Sequence, residues 1–111
     1  MSHVDPIEIV ENDVLIVAVQ GADGCYFMWQ KGLSKEVGSD DGVYFEFNDQ
    51  INGSFNQVKK CTVTNEGIHV MLSNGNSERF RFLPNFNKLE ELQVGLKKIY
   101  AEQGDIVEFS I

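Results

Sequence analysis

No apolar run in this chain approaches the roughly 20 residues that a membrane-spanning helix needs. The longest, Val14 to Val19, is strand-sized. The opening Met1-Ser2-His3-Val4-Asp5-Pro6 lacks the basic and apolar regions of a secretory signal, and neither Gly at position 2 nor a C-terminal Cys offers a lipid attachment site. These absences point to a cytoplasmic protein with no membrane partner. Cysteine is scarce as well. Cys25 and Cys61 are far apart, form no CxxC and have no nearby His, which argues against zinc. Two reduced, packed thiols are the plain reading, since a disulfide would require export.

Familiar catalytic signatures are also missing. There is no Gly-rich phosphate loop, no GxSxG elbow and no HExxH, and the carboxylates around Ser39-Asp40-Asp41-Gly42 do not alternate as a calcium loop requires. His3 lies in a terminus and His69 alternates with core positions, so a solvated sheet-face histidine is expected rather than a Cys/His dyad with Cys25 or Cys61. Asp40, Asp41, Glu46 and Asp49 have no electrophilic or nucleophilic partner nearby in sequence, and a solvated acidic face is their default. The expectation is a non-enzyme without cofactor or metal.

Basic charge is short too. Lys and Arg are absent from Met1 to Gln30, which carries Asp5, Glu8, Glu11, Asp13 and Asp23. Between Lys31 and Gly53, Lys31 and Lys35 face Glu36, Asp40, Asp41, Glu46 and Asp49, whereas Ser54 to Ile111 is balanced. The net charge of −8 therefore sits in the first half. An acidic field repels nucleic acid and speeds encounters with basic proteins, or simply keeps a protein soluble. Lys59-Lys60 with Arg79 and Arg81 could make only a small basic patch, and a pI near 4.6 disfavours nucleic-acid binding.

What is present suits a single domain over residues 1–111: 42% apolar residues can build a core, and 23% charged residues are ordinary for a globular chain. Turn signals recur at Gly21-Ala22-Asp23-Gly24, Asp41-Gly42, Asn52-Gly53, Asn65-Glu66-Gly67 and Asn74-Gly75. Strands are read between them at Pro6–Val10, Val14–Gln20, Cys25–Gln30 and Val43–Asn48, then at Gln57–Thr64, the latter as an edge or solvated strand. Ile68, Val70 and Leu72 alternate with polar neighbours, as do Phe80 and Phe82. After Pro84 the period becomes helical through Leu89, Leu92, Leu96, Ile99 and Tyr100, with Asn87 as N-cap, Glu90 as its capping-box partner and Gly104 as terminator. Gly95 inside that helix suggests a close approach to the sheet, and Ile106 to Ile111 reads as a last strand.

The expected fold is α+β: an antiparallel meander of about six to eight strands, one amphipathic helix on one face, and a short final strand. The other sheet face is free for a partner. Trp29 shares the core face with Phe27, so Tyr26, Met28 and Gln30 face outward. Tyr44 is the better candidate for an exposed aromatic anchor.

The stretches Tyr26-Phe27-Met28-Trp29-Gln30-Lys31 and Asp41-Gly42-Val43-Tyr44-Phe45-Glu46-Phe47-Asn48-Asp49-Gln50-Ile51-Asn52-Gly53 resemble the immunity protein 10 family. Cys61-Thr62-Val63, Gly67-Ile68-His69-Val70-Met71-Leu72 and the helix ending Leu92-Gln93-Val94-Gly95-Leu96-Lys97-Lys98-Ile99-Tyr100 extend the resemblance over Tyr26 to Tyr100. The segment to Gln20, the loop Ser73 to Ser77 and the tail after Tyr100 lie outside it. The resemblance implies a bacterial protein that binds and neutralises a cognate toxin domain, many such toxins being nucleases with cationic surfaces. Partner contacts are then expected at Asp40, Asp41, Tyr44, Glu46 and Asp49. Asp40 and Asp41 would steer, Tyr44 would anchor, and Glu46 and Asp49 would pair with toxin cations. The rival is a regulatory or adaptor domain binding another cytoplasmic protein. An exposed sheet edge allows two copies to pair, so a monomer or weak homodimer is expected.

Overall fold

The computed structural model describes residues 8–21, 24–34, 36 and 41–111. Among the described residues, nine strands and one helix follow in the order β1 (Glu8–Glu11), β2 (Val14–Gln20), β3 (Tyr26–Gly32), β4 (Val43–Phe47), β5 (Asp49–Phe55), β6 (Val58–Thr64), β7 (Gly67–Leu72), β8 (Ser77–Arg81), α1 (Leu89–Ile99) and β9 (Val107–Ser110). The α+β class is as expected, but the strands form two sheets rather than one. The first is the antiparallel meander β1-β2-β3-β4-β5. The second has the order β8-β7-β6-β9, and its β6–β9 pair is parallel because the chain returns through α1. The predicted strand over Gln57–Thr64 is therefore central, between β7 and β9, and not at an edge. A register irregularity between Val58 and Lys60 interrupts its alternation, which is why two adjacent lysines make it look solvated.

One core joins the two sheets and the helix. Val17, Trp29 and Phe45 align across the first sheet and are fully buried. Cys61, Val63 and Val70 fill the inner face of the second, with Leu92, Leu96 and Ile99 from α1. Phe27 bridges the sheets, its ring centroid 5.1 Å from that of Phe80 and 5.2 Å from that of Phe45. Each such large side chain taken out of water contributes about 1.5–3 kcal/mol. The helix comes down on β2 at Gly95, where a Cβ would lie 2.9 Å from Val17 Cγ2. This is the close approach its sequence suggests.

The helix ends differ from expectation. Lys88 occupies the N-cap without a side-chain cap bond, so the Asn87–Glu90 capping box does not form. Glu90 and Glu91 in the first turn and Lys97 and Lys98 in the last still complement the dipole. The helix stops at Ile99, not at Gly104. Tyr100 is its C-cap and is 2% exposed, and successive turns then carry the chain to β9.

Candidate functional site

The candidate site is the outer face and β5 edge of the five-stranded sheet. Alternation sends Tyr26, Met28 and Gln30 of β3 outward, and the register places Met28 opposite Glu46 and Gln30 opposite Tyr44. The Asn52-Gly53 pair is not a hairpin turn. The chain reverses at Asn48, which takes a left-handed φ of 63°, and Asn52 and Gly53 lie inside β5. The Asn48 Oδ1 accepts from the Tyr26 backbone at 3.0 Å, and Asn52 Nδ2 donates to the Phe47 carbonyl at 2.9 Å, fixing this irregular corner. With no side chain on Gly53, the Tyr44 ring lies close over β5.

Glu46 is the centre of the face. Its residue is 6% exposed, yet its carboxylate is satisfied, because Tyr44 Oη donates to Oε1 at 2.7 Å and Tyr26 Oη donates to Oε2. Donation to the carboxylate holds both phenolic protons. It pushes the Tyr26 phenol up to about 12 and raises Tyr44 as well. Glu46 is thus a buried carboxyl group whose two oxygens are both engaged by phenols.

The five residues expected at the interface fall in different places. Asp40 lies outside the described residues. Asp41 is exposed just before β4, and its carbonyl accepts from Asn56 Nδ2 at 3.1 Å. Tyr44 is half-buried, against Phe55 with ring centroids 5.4 Å apart. Asp49 is exposed, and its Oδ1 accepts from the Ile51 backbone at 3.1 Å. Tyr44, Glu46 and Asp49 cluster, whereas Asp41 stands at the opposite end of β4, on the order of 15–20 Å away along the strand.

Sequence reading missed the apolar part of the site. Ile51 is 86% exposed and Phe55 is 53% exposed, both on edge strand β5 beside Tyr44 and Asp49. Reading Asn-Gly as a turn hid β5 and with it these two side chains. The outward alternation of Tyr26 was legible, but its pairing with Glu46 was not.

The histidine is not placed for a thiol dyad. His69 pairs with Thr62 and Arg79 on the outer face of the four-stranded sheet, while Cys61 points into the core from the neighbouring strand. Burial pushes the Cys61 thiol up to about 12. Among the described residues, no three His, Cys, Asp or Glu side chains are grouped to hold a metal, and no helix is long and apolar enough to cross a membrane. Comparison with family models, curated proteins and solved structures returns no match for this chain.

Proposed function

We propose that this chain is a binding protein of the immunity type, which neutralises a cognate bacterial toxin domain in the cytoplasm of the producing cell. The observation that supports this reading is the β5 edge. Two large apolar side chains, Ile51 and Phe55, are exposed there beside the Tyr44 ring, with Asp49 at one end and Asp41 across β4. An aromatic and aliphatic centre rimmed by carboxylates suits a cationic protein surface such as that of a nuclease. The apolar residues supply the binding energy, and the charges speed encounter and set register. Glu46 serves in this reading as a buried acceptor that positions Tyr44 and Tyr26, while Asp41 and Asp49 meet the partner's cations directly.

The test is co-expression with the toxic domain encoded beside this gene, scoring growth and complex formation at low and high salt. Rescue is expected, with a complex that weakens as salt rises. Ile51→Ser with Phe55→Ser should abolish it, and Asp41→Lys with Asp49→Lys should slow association. Failure of the native chain to rescue or to form a complex overturns the reading.

A further inference from the structure

Seventeen Asp and Glu residues outnumber nine Lys and Arg, so a cation on this surface readily finds a carboxylate. Lys31 pairs with Glu102, Lys60 with Glu108 and Lys88 with Glu91, while Lys97 lies over the Phe109 ring. Lys59, on β6, has no such partner among the described residues, and neither do the two arginines. Arg79 and Arg81 are exposed, and their guanidinium groups make no ion pair or hydrogen bond among the described residues. They occupy alternate positions of β8, the edge strand of the second sheet, and both project from its outer face. Their Cα atoms are therefore about 6.6 Å apart.

The surroundings form a groove. Arg79 lies opposite His69, and Arg81 lies opposite Gly67, where a side chain would run into the Phe80 carbonyl. With Thr64 and Glu66 these residues line an open depression of about 310 Å³. His69 Nε2 at its floor is covered and has no hydrogen-bond partner. Glu66 lines the rim without forming a salt bridge to either arginine.

The geometry points to a carboxylate-binding groove on the outer face of the four-stranded sheet, occupied by an extended acidic segment of a protein partner. A guanidinium fork matches a carboxylate in two parallel hydrogen bonds. Alternate residues of an extended peptide repeat at the spacing of Arg79 and Arg81, so two carboxylates on one face of such a peptide meet both forks at once. A single-stranded nucleic acid is a poorer occupant. It needs exposed aromatic platforms, and the ring that lines this groove, Phe80, is buried in the core. The net charge of −8 repels a polyanion as a whole, while a short acidic segment meets only the local arginines. This groove lies on a different sheet from the Tyr44 and Phe55 face, so the two sites stand or fall separately.

Fluorescence anisotropy with a fluorescein-labelled peptide carrying Glu at alternate positions, at low salt, tests the assignment. Binding to the native chain is expected. Arg79→Gln and Arg81→Gln should each weaken it about tenfold, the loss of one charge-assisted pair. Glu66→Gln should strengthen it by removing a rim carboxylate, and Asp49→Asn on the other sheet should leave it unchanged. These side chains are exposed, so none of the variants threatens folding. The proposal is overturned if the native chain does not bind the peptide, if the arginine variants bind it equally well, or if labelled oligothymidine binds more tightly than the peptide.

Discussion

The Tyr44 hydroxyl occupies the space where a side chain at Gly53 would begin: a Cβ there would lie 1.8 Å from Tyr44 Oη and 2.5 Å from Cζ. The Tyr44 ring on the candidate face thus takes the space left by the absence of an atom on the neighbouring strand. Gly53→Ala must push the ring outward and break its bond to Glu46. A loss of about 1–3 kcal/mol is expected from this overpacking, measured by urea unfolding. In a Tyr44→Ala background the same substitution should cost almost nothing. An equal cost in both backgrounds would remove the steric link.

The phenols should ionise above the pH at which free tyrosine does. Tyr26 is pushed up to about 12 and Tyr44 is raised, both chiefly by donation to Glu46, and burial raises Tyr100. An absorbance titration of the folded protein should therefore show tyrosinate forming above the range of free tyrosine, with Tyr26 near 12, and Glu46→Gln should bring the Tyr26 midpoint down toward 10.

The same shifts carry a sign for stability. A phenol or thiol whose folded pKa exceeds its unfolded value keeps its proton longer in the native state. Above the unfolded pKa the unfolded chain then binds fewer protons, and stability falls as pH rises. For Cys61 the window runs from 9.0 to about 12, and for Tyr26 from 10.0 to about 12. Denaturant midpoints should be insensitive to these groups below about pH 8 and should decline steadily above about pH 9. A flat profile to pH 11 would contradict it.

The two thiols should separate in a disulfide-exchange assay. Cys25 is partly exposed, while Cys61 is buried and is held protonated by burial. One equivalent of aromatic disulfide reagent should be consumed quickly by the native protein. The second should react only when denaturant opens the core. Fast reaction of both would place Cys61 nearer solvent than its strand position allows.

Gly95 sets two effects against each other. Alanine there gains up to about 1 kcal/mol in helix propensity, but its methyl would meet Val17 Cγ2 at 2.9 Å. Overpacking, typically 1–3 kcal/mol, should win, so Gly95→Ala is destabilising by thermal unfolding. Placed on Val17→Ala it should become stabilising, since the clash is gone and the propensity remains.

Most individual elements were legible because alternation reports burial directly: β2 and β4 follow their apolar residues, and α1 follows the change to a helical period after Pro84. Sheet membership was not legible. Alternation tells which face of a strand is buried and not which neighbour it pairs with, so nine strands could not be divided into sheets of five and four. Strand direction was hidden for the same reason, and β9 pairs parallel with β6. In β5, turn chemistry misled: Asn48 makes the reversal, four residues before the Asn-Gly pair that looks like one. The outward placement of Glu46 followed from alternation, but its burial arises from two tyrosines, one of them on another strand, and no local pattern encodes that.

The parallel pairing of β6 with β9 bears on how the protein is made. Residues Cys61 to Thr64 find one of their two neighbours only in residues 107–110, far later in translation. The five-stranded meander needs nothing beyond Gln57 to complete its hydrogen bonding, so it can assemble as the chain emerges from the ribosome. The second sheet must wait with the flank of β6 open, and its backbone groups can pair with any passing strand in that interval. A cell producing this chain therefore meets its greatest risk of misassembly between synthesis of β6 and arrival of β9, a window in which chaperone capture would be most useful.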